Sequence, residues 1–351
     1  MSRRVVPRNT VLVGDVRDRL RALPAASVDT VITSPPYMQL RNYGMTAQIG
    51  LEPDVDGWVE QLRDVGRELT RVLKPTGSWW LNLGDSYSRD RRTGAPPKSL
   101  LLGPERLALA LVADGWTIRN KVIWAKPNPM PASVRDRLAC TWEVVYFLVR
   151  SSHYVFDLDA IRVPHRSGHA NKRPARPSVS SPSSVVSAGP PSRAGPLAGN
   201  NSGLTRYKAQ GLPGHPLGKN PGDVWTLATA NFRGEHFAVF PTGLVEPPLL
   251  ATCPERVCAN CGIPWERARA RTVGRLAVRG QLHPLCRCGA GTRPGLVLDP
   301  FFGSGTVGLV AERHARDWLG IELNPAFATL ATNRIADARN QAGPTGRRRA
   351  A

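Results

Sequence analysis

Leu296-Val-Leu-Asp-Pro-Phe-Phe-Gly-Ser-Gly-Thr306 and, a short run later, Trp318-Leu-Gly-Ile-Glu-Leu-Asn324 decide the fold. Three apolar residues, Leu296, Val297 and Leu298, predict a short buried strand. Asp299 and Pro300 end it, and Gly303 and Gly305 permit a tight turn where backbone can approach a ligand. Thr306 is placed to cap a helix running to about Arg316, and Trp318 to Ile321 predict the next strand. Glu322 closes that strand roughly 20 residues after the glycine turn. A doubly wound α/β sheet sets a carboxylate there against a ribose diol. Gly303-Ser-Gly-Thr-Val-Gly308 also satisfies G-x-G-x-x-G, so on spacing alone a nicotinamide-dinucleotide enzyme is an alternative.

The other end of the chain supplies a second constellation. Val11-Leu-Val13 followed by Gly14-Asp15 reads as a strand ending in an acid, with a short helix to about Leu23. Asp15 suits either a ligand contact or the N-cap of that helix. Val28 to Thr33 predicts a strand that ends in Ser34-Pro35-Pro36-Tyr37. Two prolines cannot extend a ladder, so the chain must leave the sheet at the strand's carboxyl end, the edge where open α/β sheets bind ligands. With φ fixed by the prolines, the Ser34 hydroxyl and Pro35 carbonyl present two acceptors in a rigid geometry, able to receive both protons of an exocyclic amino group. Taken alone, these four residues also suit a plain strand-terminating turn.

Together the two stretches resemble a known family. Asp299-Pro-Phe-Phe-Gly-Ser-Gly305 resembles the S-adenosyl-L-methionine loop of amino-directed DNA methyltransferases, and Thr33-Ser-Pro-Pro-Tyr37 resembles their catalytic motif. The catalytic motif precedes the cofactor motif, with a variable region between, which is the beta-group order. The resemblance covers most of residues 10–163 and 222–338. It implies a Rossmann-like methyltransferase sheet with circularly permuted motif order. It also implies methyl transfer from S-adenosyl-L-methionine to an exocyclic amino group of a flipped base in duplex DNA. The serine form of the motif points to cytosine N4, with adenine N6 as the alternative. By the same resemblance Ser34, Pro35, Pro36 and Tyr37 orient the base, with Tyr37 offering a flat face. Asp299, Pro300, Phe301, Gly303, Gly305, Thr306, Glu322, Asn324 and Asp15 hold the cofactor, Glu322 at the ribose and Asp15 at the adenine amino group. A cognate restriction endonuclease is a partner the family allows.

The intervening chain is read in order. Met38 to Pro53, with Arg41, Asn42 and Tyr43, is a polar loop that either closes over the base or only crosses over. Val55 to Leu73 has helical apolar spacing, and Lys74-Pro-Thr-Gly77 ends it. Ser78 to Leu83 predicts a strand, and Arg89, Arg91, Arg92 and Lys98 fall in a Gly/Pro loop suited to phosphates. Leu107 to Ala113 predicts a helix, and Trp116 to Trp124 and Trp142 to Val149 predict strands. Ile123 to Pro131 resembles the family's base-pocket segment, which makes Trp124, Lys126 and Asn128 candidate DNA contacts, with Trp124 alternatively core. Cys140 reads as an isolated buried cysteine. No acid occurs between Asp159 and Asp223, and Ser, Pro, Gly, Arg and Lys dominate. This basic segment could follow a phosphate backbone, with Arg206, Tyr207 and Lys208 as its contact cluster. Asp223 through Leu250 resembles the helix-forming segment before the cofactor loop, with His236, Phe240 and Pro241 as wall residues.

Five of the six cysteines lie between Cys253 and Cys288. Cys258-Ala-Asn-Cys261 and Cys286-Arg-Cys288 offer two thiolate pairs, a pattern suited to tetrahedral zinc in a ribbon-like insertion beside the cofactor loop. Cys253 and His283 are the substitutes, and unligated thiols the alternative. The expected organisation is therefore a catalytic half (1–163), a basic segment (164–221), a cofactor half (222–252 and 289–340), a zinc-ribbon-like insertion (253–288) and a basic tail (341–351).

The net charge of +20 over 351 residues points to a polyanionic partner, double-stranded DNA above all. A non-catalytic DNA-binding protein built on the zinc module and basic segment is the rival outside enzymology. No apolar run reaches membrane-spanning length and no signal-peptide core follows Met1, so a cytoplasmic protein without a membrane partner is expected.

Overall fold

The computed structural model describes residues 5–165, 215–230, 240–268, 271–273 and 276–341. Eight strands form its main sheet: β1 (Thr10–Val13), β2 (Val28–Thr33), β3 (Leu73–Leu83), β4 (Thr117–Ala125), β5 (Trp142–Val149), β6 (Val224–Thr226), β7 (Leu296–Asp299) and β8 (Asp317–Glu322). Their order is β1-β8-β7-β2-β3-β5-β4-β6. The first five run parallel, β5 lies antiparallel between β3 and β4, and β6 is parallel to β4. The last strands in sequence thus sit in the middle of the sheet, and β7 pairs with β2 through Val297↔Thr30 and Leu298↔Val31.

Among the described residues six α-helices cover the two faces: α1 (Val16–Ala22), α2 (Val55–Val72), α3 (Gly103–Ala113), α4 (Thr242–Thr252), α5 (Thr306–Arg313) and α6 (Pro325–Gln341). Because side chains alternate along a strand, each buried strand feeds two cores. Leu296, Leu298, Trp79, Leu81 and Leu83 pack with Leu20 of α1, Trp58, Leu62 and Leu69 of α2, and Leu107 and Leu111 of α3. Val297, Trp80, Val145 and Phe147 pack on the other face with Leu244 and Leu249 of α4, Val307 and Val310 of α5, and Ile335 of α6. The result is the expected doubly wound three-layer fold.

Local chemistry explains the deviations from expectation. The cap of α5 is Gly305 at φ +77°, not Thr306, and α5 ends at Arg313. A β-carbon at Gly305 would lie 2.9 Å from that of Ala331, so α6 packs directly on the turn. Lys74 to Gly77 does more than end α2: the chain turns extended at Leu73 and this stretch already belongs to β3. Val224 to Thr226, expected to lie in a helix-forming segment, instead extends the sheet beside β4. α6 runs on to Gln341, into the expected tail.

A second, smaller unit takes in Arg162–Pro221 and Ala268–Gln281. Within it Val163 pairs with Lys219, and Arg271–Val273 with Leu276–Val278. The expected insertion at 253–288 is therefore split, its two cysteine pairs belonging to the main unit. No helix among the described residues is long and apolar enough to cross a membrane.

Candidate active site

Five parallel strands end at one edge of the sheet. Gly14 follows β1, Asp299 ends β7, Glu322 ends β8, Ser34 follows β2 and Asn82 lies one residue before the end of β3. The antiparallel β5 begins at that edge with Trp142 and Glu143, because Leu83 pairs with Val144. Topology alone therefore gathers residues from both ends of the chain.

The two quoted stretches meet directly. The Thr33 hydroxyl donates to Asp299 Oδ1 across 2.6 Å, and the Phe301 amide donates to the same oxygen at 3.1 Å. Asp299 is 1 % exposed, and its Oδ2 has no hydrogen-bond partner. Burial pushes its carboxyl up to about 8, with the Glu322 charge adding to the shift. An orphaned polar atom in such a place costs about 1–3 kcal/mol unless a hydrogen-bond partner reaches it.

The glycine turn is braced on both sides. Glu322 accepts from the Gly303 amide at 2.7 Å through one oxygen and from the Asn324 amide at 2.9 Å through the other. Burial raises its pKa. From α6, Arg334 donates to the Ser304 carbonyl at 2.9 Å and to the Thr306 hydroxyl at 3.1 Å. Phe302 lies behind the turn, stacked on Trp318 with centroids 5.2 Å apart. Gly320 and Gly308 make room for it: a β-carbon at Gly320 would fall 2.4 Å from the ring.

Asp15 caps α1 and accepts from the Arg17 amide at 2.8 Å and from its guanidinium at 2.7 and 3.0 Å. The Arg17 hydrogen bond holds its carboxyl below the usual range. β1 pairs with β8 so that Val13 faces Glu322, which brings Asp15 to the same edge of the sheet as Glu322. Tyr43 of the Met38–Pro53 loop meets Phe327 of α6 edge to face at 6.4 Å.

A polar network runs back from Ser34. Ser34 Oγ lies 3.1 Å from the Tyr37 hydroxyl, which donates to Glu143 Oε2 at 2.6 Å. The Asn82 amide reaches Tyr37 and Glu143 at 2.8 Å each, and Ser34 at 3.3 Å. Lys126 pairs with the other Glu143 oxygen. Burial, then the Glu143 charge, keeps the Tyr37 phenol protonated well above its usual range. A small cavity of about 10 Å³ lies behind this network, lined by Thr33, Trp80, Asn82, Phe240, Leu244 and Pro248. On the other side of the Tyr37 turn, Met38, Asp85, Tyr87, Arg89 and Arg137 line a cavity of about 310 Å³.

Several expectations are corrected. Trp124 is 4 % exposed and its indole donates to the Leu227 carbonyl, so it is core rather than a DNA contact. Lys126 is held by Glu143 instead of facing outward, while exposed Asn128 accepts from the Thr229 amide at 3.0 Å. Cys140 is exposed, its thiol 3.6 Å from the Tyr87 hydroxyl. Of the basic loop, Lys98 and Arg92 are paired with Asp136 and Asp90. Arg206, Tyr207, Lys208 and His236 lie outside the described residues.

Thr33, Asn82, Glu143 and Arg334 had no assigned role in the sequence. Asn82 and Glu143 left a signal: each is a polar residue beside an apolar run (Trp79–Leu81 and Val144–Val149) near the strand terminus at the edge where Ser34 and Asp299 lie.

A family model described as DNA methylase, of the N6 and N4 class, matches residues 28–333. The chain is 32% identical over 348 residues to the Type II methyltransferase M.Cfr9I of Citrobacter freundii, covering 93% of this chain and 87% of that one. It is also 32% identical to M.SmaI of Serratia marcescens, covering 93% and 90%. Among solved structures it is similar to the PvuII DNA methyltransferase (cytosine-N4-specific), with a TM-score of 0.54 at 17% identity, covering 96% and 93%. The Thermus thermophilus protein TTHA0409, complexed with S-adenosyl-L-methionine, gives 0.51 at 20% identity, covering 94% and 95%.

Proposed function

The chain belongs to the N6/N4 DNA methylase family, and from that premise we propose that it methylates the N4 amino group of cytosine in duplex DNA, using S-adenosyl-L-methionine. The hydrogen bond from Thr33 to Asp299 carries the proposal, because it joins the amine-facing motif to the cofactor-facing one at a single edge.

The residues fit that cofactor. The partnerless, buried Oδ2 of Asp299 becomes an acceptor for a cationic or N–H donor once its proton is released, and Gly303 at φ +50° keeps side chains off the turn. Asp299, the Gly303–Gly305 turn, Glu322 and Asp15 would hold the cofactor, which supplies an electrophilic sulfonium methyl.

The proton inventory of the network gives Ser34 its part. The single Tyr37 proton goes to Glu143, so the Ser34 hydroxyl must donate to Tyr37. With its own proton turned away and only a 3.3 Å contact from Asn82, Ser34 Oγ keeps a lone pair for an amino hydrogen. The Glu143 charge, relayed through Tyr37, makes that oxygen a stronger acceptor as positive charge grows on the substrate nitrogen. The Pro35 carbonyl takes the other hydrogen, which holds the amine out of the ring plane. Arg89 and Arg137, at the larger cavity beside the Tyr37 turn, are placed for phosphates flanking the flipped base. The neutral serine at position 34 supports cytosine, as does the likeness to a cytosine-N4 fold.

The test is incubation with duplex DNA and methyl-labelled S-adenosyl-L-methionine, followed by digestion to nucleosides and mass spectrometry. Labelled N4-methylcytosine is the expected product. N6-methyladenine would overturn the choice of base, and no labelled nucleoside would overturn the methyl transfer.

A further inference from the structure

Four cysteines that the proposed reaction does not use converge elsewhere in the main unit. The thiols of Cys258, Cys261, Cys286 and Cys288 all lie within 4.8 Å of one another, and none forms a disulfide. Tetrahedral zinc, with Zn–S bonds of about 2.3 Å, asks for sulfurs roughly 3.8 Å apart. The gap between those figures is within the reach of a χ1 adjustment.

The backbone imposes the convergence. Cys261 and Cys288 are each followed by a glycine in the left-handed region, Gly262 at φ +72° and Gly289 at φ +60°. Each glycine turns the chain back sharply after its thiol, a conformation that side chains disfavour. The Gly262 amide returns to the Cys258 carbonyl at 3.0 Å, closing the first turn. An antiparallel ladder, Cys258↔Thr292 and Val257↔Arg293, then lays the second turn against the first. Neither substitute takes part: Cys253 is buried away from the cluster, and His283 lies on the separate ladder of Trp265–Arg267 with Leu282–Pro284.

The site's position says what it does. Lys74 donates to the Gly262 carbonyl at 2.9 Å and to Asp29 at 2.6 Å, and the other Asp29 oxygen accepts from the Leu296 amide at 2.9 Å. Gly295 donates to the Pro254 carbonyl at 3.1 Å. Asp29 and Leu296 lie at the amino ends of β2 and β7, so the cluster sits at the edge opposite Ser34 and Asp299. The expectation that it lies beside the cofactor loop is thereby corrected.

We infer that Cys258, Cys261, Cys286 and Cys288 bind one Zn²⁺ ion that fastens the end of α4 to the start of β7. Four thiolates fill a tetrahedral shell and leave no position for water or substrate, so the ion is structural. The complex carries excess negative charge, and Lys74 supplies a nearby cation. Since β7 carries Asp299 at its far end, the ion steadies the cofactor strand from behind without touching the reaction. The inference stands independently of the base that is methylated.

The test is metal analysis by plasma mass spectrometry of the full chain, purified without chelator or added metal. One zinc per chain is expected, and exchange for Co²⁺ should give the thiolate charge-transfer band and intense visible bands of a tetrahedral tetrathiolate. Cys261→Ser and Cys288→Ser should each lose the zinc and lower the melting temperature, whereas Cys140→Ser, outside the cluster, should keep both. A folded wild-type chain without zinc would overturn the inference. So would a disulfide among these four residues in freshly purified protein, or full zinc content in both serine variants.

Discussion

The Thr33 hydroxyl donates to the Asp299 carboxylate across 2.6 Å, joining residues 266 positions apart. Each is the last residue of its strand, and the strands are neighbours, so the bond is a direct product of sheet order. Replacing Thr33 by Val keeps the shape and removes the donor. Loss of a hydrogen bond to a buried carboxyl costs about 1–3 kcal/mol. Thr33→Val should weaken S-adenosyl-L-methionine binding roughly tenfold in calorimetry, and Thr33→Ser should restore most of it. Equal affinities for Val and wild type would separate this bond from cofactor binding.

Asp299 gives the site a pH signature. Its folded pKa of about 8 exceeds the unfolded value of 3.8, so the native state holds a proton that the unfolded chain has lost. That contribution to stability is fully present below pH 3.8 and disappears as pH rises through about 8. Asp299→Asn should therefore melt higher than wild type at pH 9 by a wider margin than at pH 6. Binding a cationic cofactor favours the carboxylate and should release a proton near pH 7. Calorimetry in buffers of different ionisation enthalpy should detect that proton in wild type and miss it in Asp299→Asn.

Glu143 tests the relay to Ser34. Ser34→Ala removes the acceptor itself and should lower kcat by about 10²-fold, comparable with loss of one preorganised polar contact elsewhere. Glu143→Gln keeps the hydrogen bond to Tyr37 but removes its charge, a difference of roughly 1.4 kcal/mol or about tenfold in kcat. DNA affinity, measured by fluorescence anisotropy, should hold in both variants. A Glu143→Gln enzyme with wild-type kcat would leave Glu143 as a partner for Lys126 only.

How far the sequence spoke for this arrangement depended on range. Periodicity and strand-ending residues marked β2 and β5 to the residue, because alternation and proline are local signals. The glycine turn and the Ser-Pro-Pro-Tyr turn were legible for the same reason. Asn82 and Glu143 were not singled out, since their roles arise only when β3 and β5 pair antiparallel, and pairing is a long-range choice. Trp124 misled because an indole beside a Lys-Pro-Asn turn fits either DNA or core, and only the Leu227 carbonyl decides between them. The cysteine spacing revealed the thiolate cluster but not which edge of the sheet would carry it, which the Lys74–Asp29 contacts determine.

Phe302 fixes the glycine turn from behind, and Gly320 is the position that measures it. A β-carbon there would meet the ring at 2.4 Å, with the stacked Trp318 blocking retreat. Overpacking of this kind costs about 1–3 kcal/mol. Gly320→Ala should lower the melting temperature and weaken cofactor binding together, because displacing Phe302 moves the turn. A second change, Phe302→Leu, should recover part of both losses by vacating the space. Failure of that rescue would show that the alanine acts through the backbone of β8 instead.

Tyr43 and Phe327 decide what the loop after the Ser-Pro-Pro-Tyr turn covers. Their rings meet edge to face at 6.4 Å, and the Glu322 charge is close enough to help hold the Tyr43 phenol above its usual pKa, after burial. The loop therefore reaches past Ser34 to the end of β8, where Glu322 stands, the acid proposed to hold the ribose. An aromatic pair of this geometry contributes about 0.5–1.5 kcal/mol beyond its buried area. Tyr43→Ala should raise the dissociation constant for S-adenosyl-L-methionine about three- to tenfold and leave kcat at saturating cofactor unchanged, while Tyr43→Phe should bind as wild type does. A loop that closed over the flipped base would give the opposite pattern: a changed KM for DNA with unaltered cofactor affinity.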